Sequence, residues 1–420
     1  MNQRPLRIQF VLTSLPVGGA ETLLLNLISG MDRKNFAPEV ICLKEPGELG
    51  PEFAKLVPLH SQLIGSKYDI GVLFRLKRLF QESRTDAVIT IGAGDKMFWG
   101  RLAAHWAGVP VICSALHSTG WPDGVGRLNR WLTRVTDGFI AVARNHANHL
   151  VRYERFPADR VFMIPNGVDT QRFVPNLEKR IWLRKTLNVP LEAMLVVIVA
   201  ALREEKNHSQ FIDAGCQVIQ RFPLAHFVIV GDGPERDRIE AEIRRTGCAS
   251  HFHLLGSRSD THEILAGCDV FCLTSKNEAN PVSILEALSC GIPVVSPDIG
   301  SICETVLHTQ TGILTQALNA DETASGIFRL LSDPELAARL GMNGRRLVES
   351  TWSLDSMVEG YQLLMERLYN RKARLLGRKC WSRQPSEPAD AYAAADSTRE
   401  YVQHFEDSEE RLKPVLQKVP

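Results

Sequence analysis

The sequence predicts an α/β protein with two doubly wound, parallel-sheet domains. The chain has 420 residues, more than one hydrophobic core usually serves, so two domains are expected. Short apolar runs alternate with amphipathic helical stretches, and continuous apolar strands separated by helices indicate parallel sheets covered on both faces. These runs form two series of six, which predicts one sheet in each half of the chain.

The apolar runs also mark the domain boundaries. The first series is RIQFVLT, EVICL, AVITI, VPVICSA, GFIAVA and VFMIP, and the second is LVVIVAAL, HFVIVGDG, HFHLLG, VFCLTS, IPVVSPD and TGILT. A polar stretch from about Asp169 to Arg184 separates them. We expect an N-terminal domain over residues 1–170, a C-terminal domain over 171–352 and a helix over 353–374 that packs back towards the first domain. Residues 375–420 are rich in Ser, Pro, Ala and charge, which predicts a largely flexible tail.

Composition limits the partners. With 49 basic and 48 acidic side chains the net charge is close to zero, which argues against a nucleic-acid partner. The nine cysteines have no metal-binding or disulfide-framework spacing, so we expect structural thiols in a reducing compartment and no metal site.

The N-terminal segment fits two interpretations, a signal peptide or a strand followed by a glycine turn and a helix. We favour the second because AETLLLNLISGM places apolar side chains on one helical face. No apolar run reaches the roughly 18 residues of a membrane-spanning helix. The sequence therefore predicts a cytoplasmic enzyme. The side chains on that face are Ala20, Leu23, Leu24, Leu27 and Ile28.

In doubly wound domains, ligands bind at the carboxyl ends of the strands. Gly18 and Gly19 follow the first strand and precede a helix, which allows a phosphate to approach the backbone; a simple turn is the alternative. His117 follows VPVICSA, as a site residue or as a buried structural histidine. Arg203 and Lys206 follow LVVIVAAL and suit a diphosphate, or else belong to a solvated helix start.

A second anion site is predicted at a helix start within NEANPVSILEALSCGIPVV, residues 277–296. Asn280 suits the N-cap and Pro281 the first helical position, so we expect a helix from there to Gly291. The first turn, at Val282 and Ser283, then has N–H groups without helical acceptors.

Two glutamates flank this helix start. Glu278 lies in the loop before it, and Glu286 lies on the same helical face as Ser283. The arrangement suits a ligand with a phosphate in the middle and hydroxyl groups at both ends. A capped helix with two surface acids is the alternative.

Taken together and in this order, these loops resemble the retaining, GT-B-fold glycosyltransferases of family four. The resemblance covers roughly residues 6–370. Its most specific parts are IPNGVDTQRF at 164–173, the block from Glu278 to Val295 with seven residues between its glutamates, and GSICETV at 300–306 followed by TGIL. The segments GGAE and HSTG fit as well.

The resemblance implies a role for each candidate residue near the sugar and the diphosphate. Gly18 and Gly19 would line the donor diphosphate, and Lys206 would bind it. His117 would lie beside the transferred sugar, and Glu278 would orient that sugar through its hydroxyl groups. His117 and Glu278 are thus the expected catalytic residues, and no enzymic nucleophile is assigned.

The remaining donor-binding residues surround the phosphate and the nucleoside. The resemblance implies that the helix start caps the phosphate, that Glu286 accepts hydrogen bonds from the ribose, and that Leu255 and Gly256 lie near the base. The residues expected at the helix start are Asn280, Pro281, Val282 and Ser283.

The chain departs from the family pattern in three places. Ala200-Ala201-Leu202 stands where the family often has Gly-Arg-Leu, so Arg203 is the expected substitute for the missing arginine. Ala279 follows Glu278, and Ser301 follows Gly300, where glycines are common. The last two departures remove no charged group, so we expect activity.

The implied function is transfer of a hexosyl or related group from a nucleotide-sugar, UDP- or GDP-linked, to a saccharide or lipid-linked acceptor with retention. The expected pathway is polysaccharide, lipopolysaccharide or glycolipid synthesis. Neither a cofactor nor a metal is expected, in agreement with the absence of an Asp-x-Asp pair before a strand end. The alternatives are a nucleotide-sugar epimerase or sugar phosphorylase on the same fold, and a non-catalytic nucleotide-sugar-binding subunit.

A membrane partner is also considered. Residues 67–83 form a basic amphipathic stretch that suits peripheral attachment to the cytoplasmic face of a membrane. The alternative is that its apolar side packs on the sheet.

Overall fold

A computed structural model describes residues 4–66, 69–92, 95–117 and 131–384 of the chain. The chain forms two compact units. Unit 1 takes the residues up to Pro165 and those from Leu354, and unit 2 runs from Asn166 to Ser353. The sequence predicts the first domain boundary between residues 170 and 171. It predicts that the chain returns to the first domain at residue 353.

The sheet of unit 1 is entirely parallel. Its spatial strand order is 3-2-1-4-5-6-7, and Ile8 of the central first strand pairs with Pro38 on one side and Ala87 on the other. The third strand is absent from the predicted series because it has two residues and no β-branched side chain. The strands are β1 (Leu6–Leu12), β2 (Phe36–Cys42), β3 (Leu59–His60), β4 (Ala87–Ile91), β5 (Val111–Ala115), β6 (Gly138–Ala141) and β7 (Val161–Met163).

Helices cover the sheet of unit 1. In the first, Leu23, Leu24, Leu27 and Ile28 are buried, which confirms the predicted apolar face. The helices between these strands are α1 (Gly19–Gly30), α2 (Gly50–Leu56), α3 (Gly71–Glu82), α4 (Asp95–Ala107) and α5 (Arg144–Arg152).

Unit 2 has six parallel strands in the spatial order 10-9-8-11-12-13, the number predicted for this half. They are β8 (Met194–Val199), β9 (Ala225–Val230), β10 (Phe252–Gly256), β11 (Val270–Cys272), β12 (Val294–Pro297) and β13 (Gly312–Thr315). The helices are α6 (Leu177–Thr186), α7 (His208–Arg221), α8 (Arg236–Arg245), α9 (Thr261–Gly267), α10 (Val282–Ser289), α11 (Ala320–Ser332) and α12 (Pro334–Thr351). The prediction of doubly wound parallel sheets is confirmed in both units.

The last helix, α13 (Leu354–Leu375), belongs to unit 1. Its Gln362 side chain accepts a hydrogen bond from the Asp32 N–H at 2.9 Å, just beyond α1. Lys372 Nζ lies 2.7 Å from Asp137 Oδ1, just before β6.

The segment after α13 is the start of the tail that is predicted to be largely flexible. Residues 376–380 are exposed, but residues 381–384 pack on unit 1: Trp381 is buried beside Phe36, with ring centroids 5.5 Å apart. Arg383 pairs with Glu359, and the Gln384 N–H donates to Asn35 Oδ1 at 2.7 Å. A buried tryptophan and a partly exposed ion pair hold the segment, and a composition rich in Ser, Pro and charge does not reveal them. Residues 385–420 lie outside the described residues.

Within the described ranges, no helix is long and apolar enough to cross a bilayer. No disulfide bond joins the cysteines there either.

Candidate active site

The glycines predicted to approach a phosphate lie at the start of α1, at the carboxyl edge of the unit 1 sheet. Gly18 is the N-cap in an extended conformation, and a Cβ built on it would lie 2.6 Å from Glu21 Oε2. A Cβ on Gly19 would meet no atom within 4 Å. The contact at position 18 is with the far end of a flexible side chain, which can move, and the space at Gly19 is open to a ligand.

His117 lies two residues beyond β5 at the same edge of the sheet and is half-buried. The rest of the predicted STGWPDG loop, residues 118–124, lies outside the described residues. The place of His117 agrees with the predicted strand end, and its role remains a prediction.

In unit 2, the loop after β8 carries the predicted cations. Gly231 and Gly233 allow this loop to pack on the loop after β9, because a Cβ on them would lie 2.0 Å from the Ala200 carbonyl oxygen and 2.5 Å from that of Leu202. The Arg203 side chain is 61% exposed, and its nearest carboxylate is Glu205 at 3.9 Å.

Lys206 ends a short 3-10 turn in this loop, and its ammonium group points to the predicted glutamate. Lys206 Nζ lies 2.5 Å from Glu278 Oε1, and the two side chains are only 23% and 10% exposed. This ion pair joins the loops after β8 and β11, as expected for two candidate residues at neighbouring carboxyl ends.

Thr274, which sequence analysis missed, fixes the backbone around Lys206. Its hydroxyl group donates to the carbonyl oxygens of Lys206 and Asn207 at 3.2 and 3.0 Å, and its side chain is fully buried. The only signal in the sequence is its position just after the apolar run of β11.

Gly300 fixes the backbone of Glu278. Its φ of +56° is in the left-handed region, and a Cβ there would lie 1.7 Å from the Glu278 carbonyl oxygen. The loop after β12 can therefore approach Glu278 only because residue 300 is glycine.

The helix start differs by one residue from the predicted one. Pro281 is the N-cap, α10 begins at Val282, and no side chain caps it. Asn280 is therefore not the N-cap. Its carbonyl oxygen instead accepts a hydrogen bond from Asn166 Nδ2 at 2.9 Å. Asn166 belongs to the IPNGVD segment and was not predicted as a site residue.

The N–H groups that are predicted to bind an anion lie at this helix start. The N–H groups of Val282 and Ser283 have no backbone acceptor within the described ranges, whereas Ile284 N–H reaches the Pro281 carbonyl oxygen at 3.2 Å. Two N–H groups at a helix start, with a partial positive charge from the helix dipole, can bind a phosphate oxygen.

Glu286 lies one turn into α10 and is half-buried. Burial raises the pKa of its carboxyl group to about 7, although the charge of Arg172 opposes the rise. No hydrogen-bond donor from the described residues reaches this carboxyl group, so it is available to a hydroxyl group of a ligand.

Leu255 and Gly256 end β10, and Leu255 is half-buried. Gly256 has φ of +68°, and its carbonyl oxygen accepts a hydrogen bond from Gly231 N–H at 2.9 Å. The predicted place of Leu255 near a base remains a prediction.

His208 is a buried neighbour that the sequence did not single out. It lies just after the Lys206 loop and is 1% exposed. Burial, with the charges of Lys206 and Arg238, lowers the pKa of its imidazole to about 4. It is therefore neutral near pH 7 and adds no cation to the site.

The described residues contain no group of three or more His, Cys, Asp or Glu side chains arranged to hold a metal ion.

Comparison with solved structures shows which fold the two units form. Anabaena HepE in complex with UDP and glucose matches 86% of this chain and 99% of its own with a TM-score of 0.76 and 22% identity. WaaG, a glycosyltransferase involved in lipopolysaccharide biosynthesis, matches 85% of this chain and 99% of its own with a TM-score of 0.70 and 16% identity. The fold is therefore GT-B, as predicted.

Sequence comparison shows the family. The model of glycosyl transferases group 1 matches residues 180–347, and that of glycosyltransferase family 4 matches residues 17–172. The putative glycosyltransferase EpsF of Bacillus subtilis is 26% identical over 88% of this chain and all of its own. An Escherichia coli UDP-Gal:alpha-D-GlcNAc-diphosphoundecaprenol alpha-1,3-galactosyltransferase is 27% identical over 76% of this chain and 88% of its own. The chain belongs to the family 4 glycosyltransferases.

Proposed function

We propose that this glycosyltransferase moves a hexose or related sugar from a UDP- or GDP-linked donor to a hydroxyl group of a saccharide or lipid-linked acceptor. We further propose that it does so with retention, without a metal ion, and at the cytoplasmic side of a membrane. The observation that carries the proposal is the ion pair between Lys206 and Glu278, which stands in the loop leading to the uncapped start of α10.

The charges of this region suit a nucleoside diphosphate. Lys206 supplies a cation, and Val282 and Ser283 supply N–H groups at a helix start. The names of two relatives support an anionic nucleotide-sugar: the E. coli relative is named for UDP-Gal and a Mycobacterium tuberculosis relative for GDP-mannose. Both names include a lipid, which supports a lipid-linked acceptor here.

In the proposed reaction, the bond between the anomeric carbon and the diphosphate oxygen breaks, and negative charge accumulates on the leaving diphosphate. Lys206 and the N–H groups of α10 are already in place to stabilise this charge, and such preorganised donors usually contribute most to the rate. The acceptor oxygen bonds to the anomeric carbon on the face that the diphosphate leaves. Its proton passes to the leaving phosphate oxygen, which balances the charges without an enzymic nucleophile.

The glutamates are assigned to hydroxyl groups at the two ends of the donor. Glu278 is proposed to orient the sugar and Glu286 to accept hydrogen bonds from the ribose. Since Lys206 already holds Glu278 Oε1, one carboxylate oxygen of Glu278 is available to the sugar. His117 is proposed to contact the transferred sugar, and Arg203 to supply a second cation through its exposed side chain.

We propose that the predicted membrane contact through residues 67–83 makes only a minor contribution to membrane attachment. Lys67 lies outside the described residues. In α3, the side chains of Val72, Leu73, Leu76 and Phe80 are buried in the core of unit 1, so the apolar face already has a partner. The exposed apolar side chains near this helix are those of Ile70 and Phe74.

The experiment is release of nucleoside diphosphate from UDP- and GDP-sugars, with and without lipid-linked acceptors and in the presence of EDTA. We expect release that increases with one acceptor and is unchanged by EDTA, and a product with the anomeric configuration of the donor. An inverted product contradicts retention, and loss of activity in EDTA contradicts metal independence. A donor that binds but is never consumed supports the non-catalytic alternative.

A further inference from the structure

The end of the IPNGVDTQRF segment contacts the face of α10 that carries Glu286. Ser289 follows Glu286 by three residues, so the two side chains lie on the same face of this helix. The buried Ser289 side chain donates from Oγ to the Phe173 carbonyl oxygen at 2.7 Å. The backbone next to Arg172, the residue before Phe173, is therefore fixed beside this face of α10.

Arg172 itself has a fixed conformation. Asp169 Oδ1 accepts hydrogen bonds from the N–H groups of Gln171 and Arg172, each at 3.0 Å. The guanidinium carbon of Arg172 lies over the Phe173 ring, 5.8 Å from its centroid. Arg172 Nη2 donates to the Ser259 carbonyl oxygen at 2.9 Å. Three kinds of contact thus hold the backbone, the side chain and the guanidinium group of one arginine.

These contacts place Arg172 between the two elements of the predicted nucleoside site. Ser259 stands three residues beyond Gly256, the last residue of β10, where a base is predicted to lie. Glu286 on α10 is the residue predicted for the ribose. Arg172 therefore connects the loop after β10 with the helix face of Glu286, although no role follows for it from the sequence.

The guanidinium group of Arg172 keeps donors for a ligand. Its Nε and Nη1 make no hydrogen bond to a described residue, and Arg172 forms no ion pair within the described ranges. The other arginine of the loop differs, because Arg258 donates to both carboxylate oxygens of Asp260, at 2.8 and 2.6 Å. Arg172 therefore offers a charge and two donor nitrogens that Arg258 does not.

Arg172 and Glu286 interact through space. Burial raises the pKa of the Glu286 carboxyl group to about 7, and the charge of Arg172 opposes this rise. No hydrogen bond or ion pair within the described ranges joins the two side chains. A hydroxyl group suits a position between them, because its oxygen accepts from a guanidinium N–H while its hydrogen is donated to the carboxylate.

We propose that Arg172 is a further donor-binding residue, which binds a ribose hydroxyl group together with Glu286 and so selects ribonucleotide donors. The inference rests on the proposed place of the ribose at Glu286. A deoxyribose would leave the guanidinium and the carboxylate without their shared partner. Such a loss at a site built for a hydroxyl group is costly, because the polar groups of the protein then remain unpaired.

The test is calorimetric titration of the full chain with the nucleoside diphosphate that it binds, UDP or GDP, and with the 2′-deoxy and 3′-deoxy forms. We expect at least one deoxy form to bind about tenfold more weakly than the ribonucleotide. Arg172→Leu should weaken binding of the ribonucleotide and reduce the ratio to about twofold or less, whereas Arg172→Lys, which keeps a donor and a charge, should retain part of it.

The matched control is Arg258→Leu. It removes an arginine from the same loop, but one whose donors Asp260 already occupies, so the ratio between ribose and deoxyribose forms should not change. Circular dichroism and the melting temperature without ligand show whether each variant is folded.

Two results would overturn the proposal while the proposed function stands. If Arg172→Leu weakened binding of ribose and deoxyribose forms equally, Arg172 would serve the loop structure or the phosphates and not the ribose. If the original protein bound both deoxy forms as tightly as the ribonucleotide, neither Arg172 nor Glu286 would select a ribose. If no nucleoside diphosphate bound at all, the proposed function would be contradicted as well, so the two failures are distinguishable.

Discussion

Lys206 Nζ and Glu278 Oε1 are 2.5 Å apart and join the loops that follow β8 and β11. Buried Thr274 holds the Lys206 backbone from one side, and Gly300 packs against the Glu278 carbonyl from the other. The pair is therefore preorganised by its surroundings, which is the property that electrostatic stabilisation of a leaving group requires.

Removing either charge should reduce transfer far more than it reduces stability. We expect Glu278→Gln and Lys206→Met each to lower the turnover rate at least about a hundredfold, because each deletes a preorganised charge. Each should lower the free energy of unfolding by about 1–3 kcal/mol, as for a lost hydrogen bond to a charged group. Turnover and urea unfolding measure the two effects. Since one interaction is lost in both variants, the double variant should be about as stable as either single one. Full turnover by either single variant would contradict the assignment.

Gly300→Ala should distort the Glu278 loop. The added Cβ would lie 1.7 Å from the Glu278 carbonyl oxygen, so the backbone must move. We expect a lower melting temperature and weaker donor binding, measured by calorimetry. Gly247→Ala is the matched control, because Gly247 also has a positive φ, of +76°, but has no atom within 4 Å of its added Cβ. Equal effects of the two substitutions would show that backbone strain alone, and not contact with Glu278, explains the loss.

Donor binding should depend on pH through Glu286. Burial raises the pKa of this carboxyl group to about 7, so the charged form, which is proposed to accept ribose hydrogen bonds, is populated only as the pH rises through 7. We expect donor affinity to increase between about pH 6 and pH 8, and Glu286→Gln to flatten this profile.

The stability contribution of Glu286 has the opposite trend. Because its pKa is higher in the folded than in the unfolded chain, the contribution is fully present below about pH 4 and is lost as the pH rises through 7. Unfolding experiments on Glu286→Gln should therefore show a gain in relative stability at high pH. If Glu286→Gln left the pH profile of donor affinity unchanged, the assignment of Glu286 to the ribose would be contradicted.

Gly19→Ala should weaken donor binding without reducing the stability of the fold. A Cβ there meets no atom within 4 Å, so the melting temperature without ligand should change little or rise slightly, since alanine favours a helix. If a diphosphate approaches this helix start closely, the donor should bind at least about tenfold more weakly. Titration of the donor into the variant measures this, and unchanged affinity would mean that no ligand approaches Gly19.

His117→Ala should abolish transfer while the protein remains folded. The matched control is His149→Ala, which removes another histidine of unit 1 at the end of α5, far along the chain from any predicted site residue. Product formation and circular dichroism measure activity and folding. Equal activity of both variants would exclude His117 from the site.

Much of the fold follows from local sequence patterns. Twelve of the strands arise from apolar runs that the sequence shows directly, whereas β3 has only two residues and forms because β2 offers an edge. The packed segment around Trp381 depends on Phe36 and Arg4, which are distant in sequence. The composition of the segment around Trp381 does not predict such long-range partners.

The sequence predicts which loops carry the candidate site, but not which residues of those loops contact one another. The predicted strand ends and helix starts identify Lys206, Glu278 and Val282 as candidate site residues, because the carboxyl ends of parallel strands lie at one edge of a sheet. The capping rule predicts Asn280 as the N-cap, one residue before the observed N-cap, Pro281. The Asn280 carbonyl oxygen bonds instead to Asn166 from a distant loop. Thr274 and the approach of Gly300 to Glu278 also depend on tertiary packing.

The most direct test of the central claim is a thermal-shift titration of UDP- and GDP-sugars without added metal, on the original protein and on Lys206→Met. A ligand that binds the folded state raises the melting temperature by mass action. We predict that one nucleotide-sugar raises it clearly and that Lys206→Met loses most of this shift. An equal shift in both proteins, or no shift with any donor, would contradict the assignment of the Lys206–Glu278 pair as the donor site.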